Sequence, residues 1–286
     1  MTHLLMTALL LGCPSKTEPG TSDSSATATP PTFDTALTTP TDAGVRVDTP
    51  ARTSDLFGDA RYPALRVVLH YRQGAAPGAL AMTKLREALA DLEATGHVVK
   101  PAGIRIELGK ELPPTATPGG DYTFEELDAD LEGVRGSFVV GDAAVIHGLY
   151  TDGSYDNGGE GTVLGFAYGG ARMVMMRDRI DDACDDPVLS LLPGGADEEK
   201  CATLEATVLL HELGHLFGLV NNGLPMVTDH QDPDHGAHDE DDDCLMYWAA
   251  ETPAVADTIA DAYLNGDGKI PSFDAQCLAD MAAALD

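Results

Sequence analysis

Basic residues are scarce. The 286-residue chain has 17 Lys and Arg against 47 Asp and Glu, a formal net charge of −30. Nucleic acids and anionic membrane surfaces are bound through clustered Lys and Arg, so both partner classes are excluded. Aromatic residues make up only 6%, and five cysteines are too few for a dense disulfide scaffold. No apolar run reaches the roughly eighteen residues of a membrane-spanning helix. What is present is an acidic chain whose 43% hydrophobic content is enough to bury a core.

Residues 1–13 read MTHLLMTALLLGC, an apolar stretch ending in Leu10-Leu11-Gly12-Cys13. The pattern resembles a bacterial lipoprotein signal, in which Cys13 becomes the lipidated first residue. No Lys or Arg precedes the apolar run, and an ordinary export signal is the alternative. Residues 14–54 then hold 16 Ser or Thr and 6 Pro in 41 positions. Such a segment buries too little surface to offset its ordering entropy, which predicts a disordered tether over 14–55. The expected location is outside the cytoplasm, anchored to the cell envelope or secreted, with membrane contact only through the lipid.

Residues 56–286 read as one folded unit of alternating strand and helix. The β-branched run at 65–71 predicts a strand, and Leu80, Leu85, Leu89 and Leu92 within 77–95 have helical spacing. Strand-like runs follow at 104–108, 137–140, 144–150, 162–168 and 173–176, and 198–220 reads as one long helix.

Inside that helix lies His211-Glu212-Leu213-Gly214-His215. Residues four apart share a helix face, so both imidazoles can meet one metal ion, with Glu212 beside them as a general base. Neutral imidazoles suit zinc and leave a coordination position open, while the carboxylate takes the proton of an attacking water. Gly218, three residues after the second His, is suited to end the helix in a left-handed turn.

The stretch HELGHLFGLVN resembles the H-E-x-x-H-x-x-G-x-x-H signature of the metzincin zinc peptidases, except that Asn221 stands where the third His belongs. Downstream, His238 with Cys244 and Met246 resembles the archaemetzincin pattern, Asp239 replacing its first Cys. The resemblance implies an insertion over 221–237, His238 as third zinc ligand and Met246 as the Met-turn residue under the metal. His230 is the next candidate ligand, followed by His235, Asp229, Asp232 and Asn221, and Met246 also reads as an ordinary core methionine. It further implies an α+β sandwich: a twisted mixed sheet of about five strands with an antiparallel edge strand at 162–168, a backing helix, a long active-site helix, and an irregular C-terminal subdomain. An edge strand offers unpaired amides to an extended peptide. Only 211–246 is motif-specific, within a resemblance covering about residues 62–248.

Cys184, Cys201, Cys244 and Cys277 are even in number, which suits an oxidising compartment. The expected pairs are Cys184–Cys201 and Cys244–Cys277. Two Asp/Gly-rich loops, at 152–159 and 265–274, are weak calcium candidates better read as turns, since Tyr263 occupies the first ligand position of the second. Two functions are consistent with these features. One is a zinc-dependent endopeptidase hydrolysing proteins outside the cytoplasm, with His211, His215 and His238 on the metal and Glu212 as base. The other is a non-catalytic metal-binding or adhesion lipoprotein that retains the fold.

Overall fold

Which face each strand buries follows from its alternation of side chains, and a strand buried on both faces needs no polar alternation. The computed structural model describes residues 46–286 apart from 116–117, 157, 159–161, 193–196 and 266–267. Cys13 and residues 14–45 of the expected tether lie outside the described residues. In chain order the elements are β1 (Arg46–Val47), α1 (Thr53–Phe57), β2 (Ala64–Arg72), α2 (Ala79–Ala94), β3 (Ile104–Leu112), β4 (Asp121–Tyr122), α3 (Phe124–Val134), β5 (Val139–Val140), β6 (Ala143–Thr151), β7 (Ser154–Tyr155), β8 (Gly165–Tyr168) and β9 (Arg172–Met176). Then come α4 (Arg177–Cys184), α5 (Pro187–Leu191), α6 (Asp197–Leu216), a 3-10 turn (Trp248–Glu251), α7 (Val255–Asn265) and α8 (Ala275–Leu285).

Strand β6, AAVIHGLYT, is buried at every position and forms the sheet's centre, parallel to β2 on one side and to β9 on the other. Outside β2 lies β3, also parallel, and outside β9 lies β8, antiparallel and, among the described residues, paired on one side only. Strand β5 turns back onto the start of β6 through Gly141-Asp142, with Gly141 at φ +64°, and β1 pairs with β5. The α+β sandwich of the sequence reading is present, with seven strands in the sheet among the described residues where about five were expected.

Strand β9 shows the layering residue by residue. Met173 and Met175 enter the core beneath α2 and α6, whereas Val174 and Met176 point the other way, towards Leu127 and Leu131 of α3. Helix α3 begins at a reciprocal cap between Thr123 and Glu126, which satisfies two of its free amide groups.

Two parts of the expectation are corrected. Residues 46–55 carry β1 and the start of α1, although their composition reads as tether. Strand β1 is held by its pairing with β5 and by Phe138 N donating to Val47 O at 3.0 Å, and the buried Lys100 Nζ donates to the carbonyls of Asp55, Gly58 and Tyr62 at 2.7, 2.5 and 2.7 Å. The C-terminal region, expected to be irregular, contains α7 and α8, which bury Val255, Ile259, Cys277 and Met281 against the main core. In the two calcium candidates Asp152 accepts from Gly119 N and Tyr122 Oη, and Asp274 caps α8 by accepting from Cys277 N, while residues 157 and 159 lie outside the described set. Residues 266–267 lie outside the described set.

Candidate metal centre

Helix α6 is buried almost from Lys200 to its end, so its two histidines are fixed by packing on all sides. The Nε2 atoms of His211 and His215 stand 3.1 Å apart. Beyond α6, Gly218 takes φ +81° and turns the chain out into the segment that carries Asn221. That segment returns through an antiparallel bridge between Gln231 and Asp239, with Asp232 N donating to His238 O at 2.7 Å. His238 thereby reaches the helix, its ring 5.3 Å from that of His211 and 4.9 Å from that of His215.

The hydrogen bonds assign the ring nitrogens. His211 Nδ1 donates to Leu245 O at 2.7 Å and His238 Nδ1 donates to His235 O at 2.6 Å, which leaves both Nε2 atoms as acceptors in the neutral rings. Glu251 joins them, Oε1 lying 3.5 Å from His238 Nε2 and Oε2 lying 3.9 Å from His211 Nε2. One ligand atom from each of His211, His215, His238 and Glu251 lies within 4.8 Å of the others. The Nε2 of His238 is buried with no hydrogen-bond partner. Electron pairs converging in this way repel one another unless a cation sits among them, and two or three imidazoles with a carboxylate is a donor set that suits zinc. The residues fit the metal.

Burial sets the charge states. It pushes His211 down to about 4 and His215 well below the usual imidazole range, so both are neutral and available as ligands. Burial also disfavours a charged His238, but the facing Glu251 carboxylate reverses the balance and raises it. Glu212 is fully buried, both oxygens lack a partner, and desolvation together with the charge of Glu251 raises its carboxyl well above the ordinary value. It lies beside edge strand β8, where a Cβ on Gly165 would come 3.3 Å from Glu212 Oε1.

The other sequence candidates are elsewhere. His230 is buried between two carboxylates, Asp239 at 2.8 Å and Asp280 at 3.0 Å, so both its nitrogens are used. His235 is exposed, bonds Asp232 at 2.6 Å and stacks on Trp248. Asn221 is exposed and donates to Gln231, and Asp229 is exposed. Met246 is fully buried below the helix, its sulfur occupying the space a side chain on Gly214 would need. Glu251 was missed in the sequence reading; its one signal is an isolated acid ending the apolar run Leu245-Met246-Tyr247-Trp248-Ala249-Ala250.

Cys184 and Cys201 are bridged, tying α4 to the start of α6. The expected Cys244–Cys277 disulfide is not formed. The two thiols lie 3.8 Å apart and each has another partner: Met246 N donates to Cys244 Sγ, and Cys277 Sγ is 3.5 Å from Asp239 Oδ2. His230, Asp239, Asp274 and Cys277 form a second close group of metal-competent side chains.

No protein-family model and no curated protein matches the chain. Among solved structures it is similar to metalloproteinase-II from Bacteroides fragilis, with 15% identity and a TM-score of 0.43 over 86% of this chain. The match spans 58% of that protein's length. Neither figure speaks to activity, for which the side chains around His211 are the guide.

Proposed function

We propose that the chain is a zinc-dependent endopeptidase that cleaves proteins or peptides outside the cytoplasm. The observation that carries this reading is the buried, partnerless Glu212 carboxylate beside three imidazoles whose free nitrogens converge. His211, His215 and His238 would hold zinc, which would supply a Lewis acid for the scissile carbonyl and for the attacking water. Glu212, whose basicity is raised by burial, accepts the proton of the attacking water and passes it to the departing amine. Among the described residues strand β8 is paired on one side only, so an extended peptide can add as a further strand, and Gly165 offers no side chain to hold that peptide away from Glu212. The acidic segment 229–243 favours cationic peptides, although a solubilising surface accounts for most of the chain's acidity. Export, with Cys13 as lipid anchor, belongs to the same proposal. Among the described residues no helix is long and apolar enough to cross a membrane.

A second reading, a non-catalytic metal-binding or adhesion lipoprotein, is favoured by Glu251, because a metal site closed by four protein ligands is the structural kind. The full chain, zinc-loaded and incubated with casein or gelatin, separates the two. The endopeptidase reading expects cleavage that falls by about a hundredfold or more in Glu212→Ala. Full zinc occupancy without cleavage of any protein or peptide library favours the binding reading.

A further inference from the structure

We propose that Glu251 is a fourth protein ligand of this metal, filling the position that a hydrolytic site keeps for water. The inference rests on the metal reading above and concerns how that site is regulated. Ligands about 2.0–2.1 Å from a tetrahedral zinc lie about 3.3 Å from one another. The contacts His211 to His215 at 3.1 Å, His238 to Glu251 at 3.5 Å and His211 to Glu251 at 3.9 Å are close to that spacing. Three neutral imidazoles leave the full dipositive charge uncompensated, and Glu251 supplies an anion facing the open side.

The backbone holds Glu251 there. It closes the 3-10 turn that follows Met246, and its carbonyl accepts from Leu164 N at 2.8 Å, directly before edge strand β8. The fourth ligand is thus tied to the strand on which a peptide would dock. On this proposal the resting site is closed, and hydrolysis requires Glu251 to give up its position to water.

The test uses the full chain and the variants Glu251→Ala and Glu251→Gln, with His215→Ala as control. Zinc affinity is measured by competition with a chromophoric chelator, and coordination by the visible absorption of the cobalt(II)-substituted protein. Glu251→Gln keeps the side chain's size, so a folding defect in Glu251→Ala does not obscure the result. The proposal expects zinc affinity to fall at least tenfold in both Glu251 variants and the cobalt bands to change in position and intensity as an oxygen from water replaces the carboxylate. Affinity within twofold of the parent chain and superimposable cobalt spectra in both variants overturn the proposal, while His215→Ala still loses the metal and the metal reading stands. If His215→Ala binds zinc as tightly as the parent chain, the metal reading and the role of Glu251 fall together.

Discussion

Gly214 lies between the two helix histidines, and its missing side chain makes the room that Met246 fills. A Cβ there would stand 2.3 Å from Met246 Sδ and 2.9 Å from a ring carbon of Phe273. Gly214→Ala therefore overpacks the floor of the site, and urea denaturation is expected to show a loss of about 1–3 kcal/mol. The histidines downstream separate in kind. His238→Ala removes a ligand from a site the helix still holds, so bound zinc is lost while the urea midpoint of the metal-free protein changes little. His230→Ala leaves the buried Asp239 and Asp280 carboxylates without their shared partner, so about 3 kcal/mol or more of stability is lost while zinc stays bound. Zinc content and urea midpoints of the two variants check both statements, and the opposite pairing of results would reverse the assignment.

Helix α6 owes its position to one buried acid as well as to its apolar surface. Glu205 accepts from Gly78 N at 2.9 Å and pairs with Arg177 at 2.7 Å, joining α6 to the start of α2 and to α4. Glu205→Ala leaves the Gly78 amide without its acceptor and Arg177 with Asp181 alone, and a loss of about 1.5–3 kcal/mol in chemical denaturation is expected. A change under 1 kcal/mol would mean that apolar packing alone holds the helix. The long helix and the strand order were legible because apolar runs and helical periodicity report burial directly. What was not legible depends on partners distant in sequence. The polar residues 46–55 join the fold because β1 pairs with β5 and Lys100 captures the Asp55 carbonyl, and Glu251 meets His238 only after a turn that no periodicity marks. The spacing from His211 to Met246 was readable in the sequence and favoured His238, while the Gln231–Asp239 bridge that brings His238 to the helix and the Asp239–Asp280 surroundings of His230 were not.

Across the whole molecule, acid sensitivity is built into the sheet as well as the metal centre. Lys110 N donates to His70 Nδ1 at 2.9 Å, His70 Nε2 meets His147 Nδ1 at 3.2 Å, and His147 Nε2 donates to Ser137 O at 3.3 Å. Each ring thus has one defined neutral form, and a second proton on either would face another N–H. Burial pushes both down to about 4, with the neighbouring imidazole adding to the shift at His70. Because the unfolded rings bind protons more readily, near pH 6.5, the stability they contribute is present above that pH and is lost as pH falls towards 4. Urea midpoints of metal-free protein are expected to fall between pH 7 and 4.5 more steeply than those of His70→Gln. Equal slopes would show that the pair does not supply the pH dependence. The scarcity of basic residues bears on the same scale: residues 14–54 carry 5 acids and 3 bases, so nearly all of the net charge of −30 belongs to the rest of the chain. Eight acids with no Lys or Arg lie at 229–243, in the loop that delivers His238.

X-ray absorption at the zinc edge of the loaded full chain tests the central claim most directly, because it identifies the atoms around the metal. The account predicts three imidazole nitrogens at about 2.0–2.1 Å and one oxygen at about 2.0–2.2 Å, with no sulfur. Sulfur at about 2.3 Å would place the metal at the Cys277 group instead, and fewer than three imidazoles would remove His238 from the site.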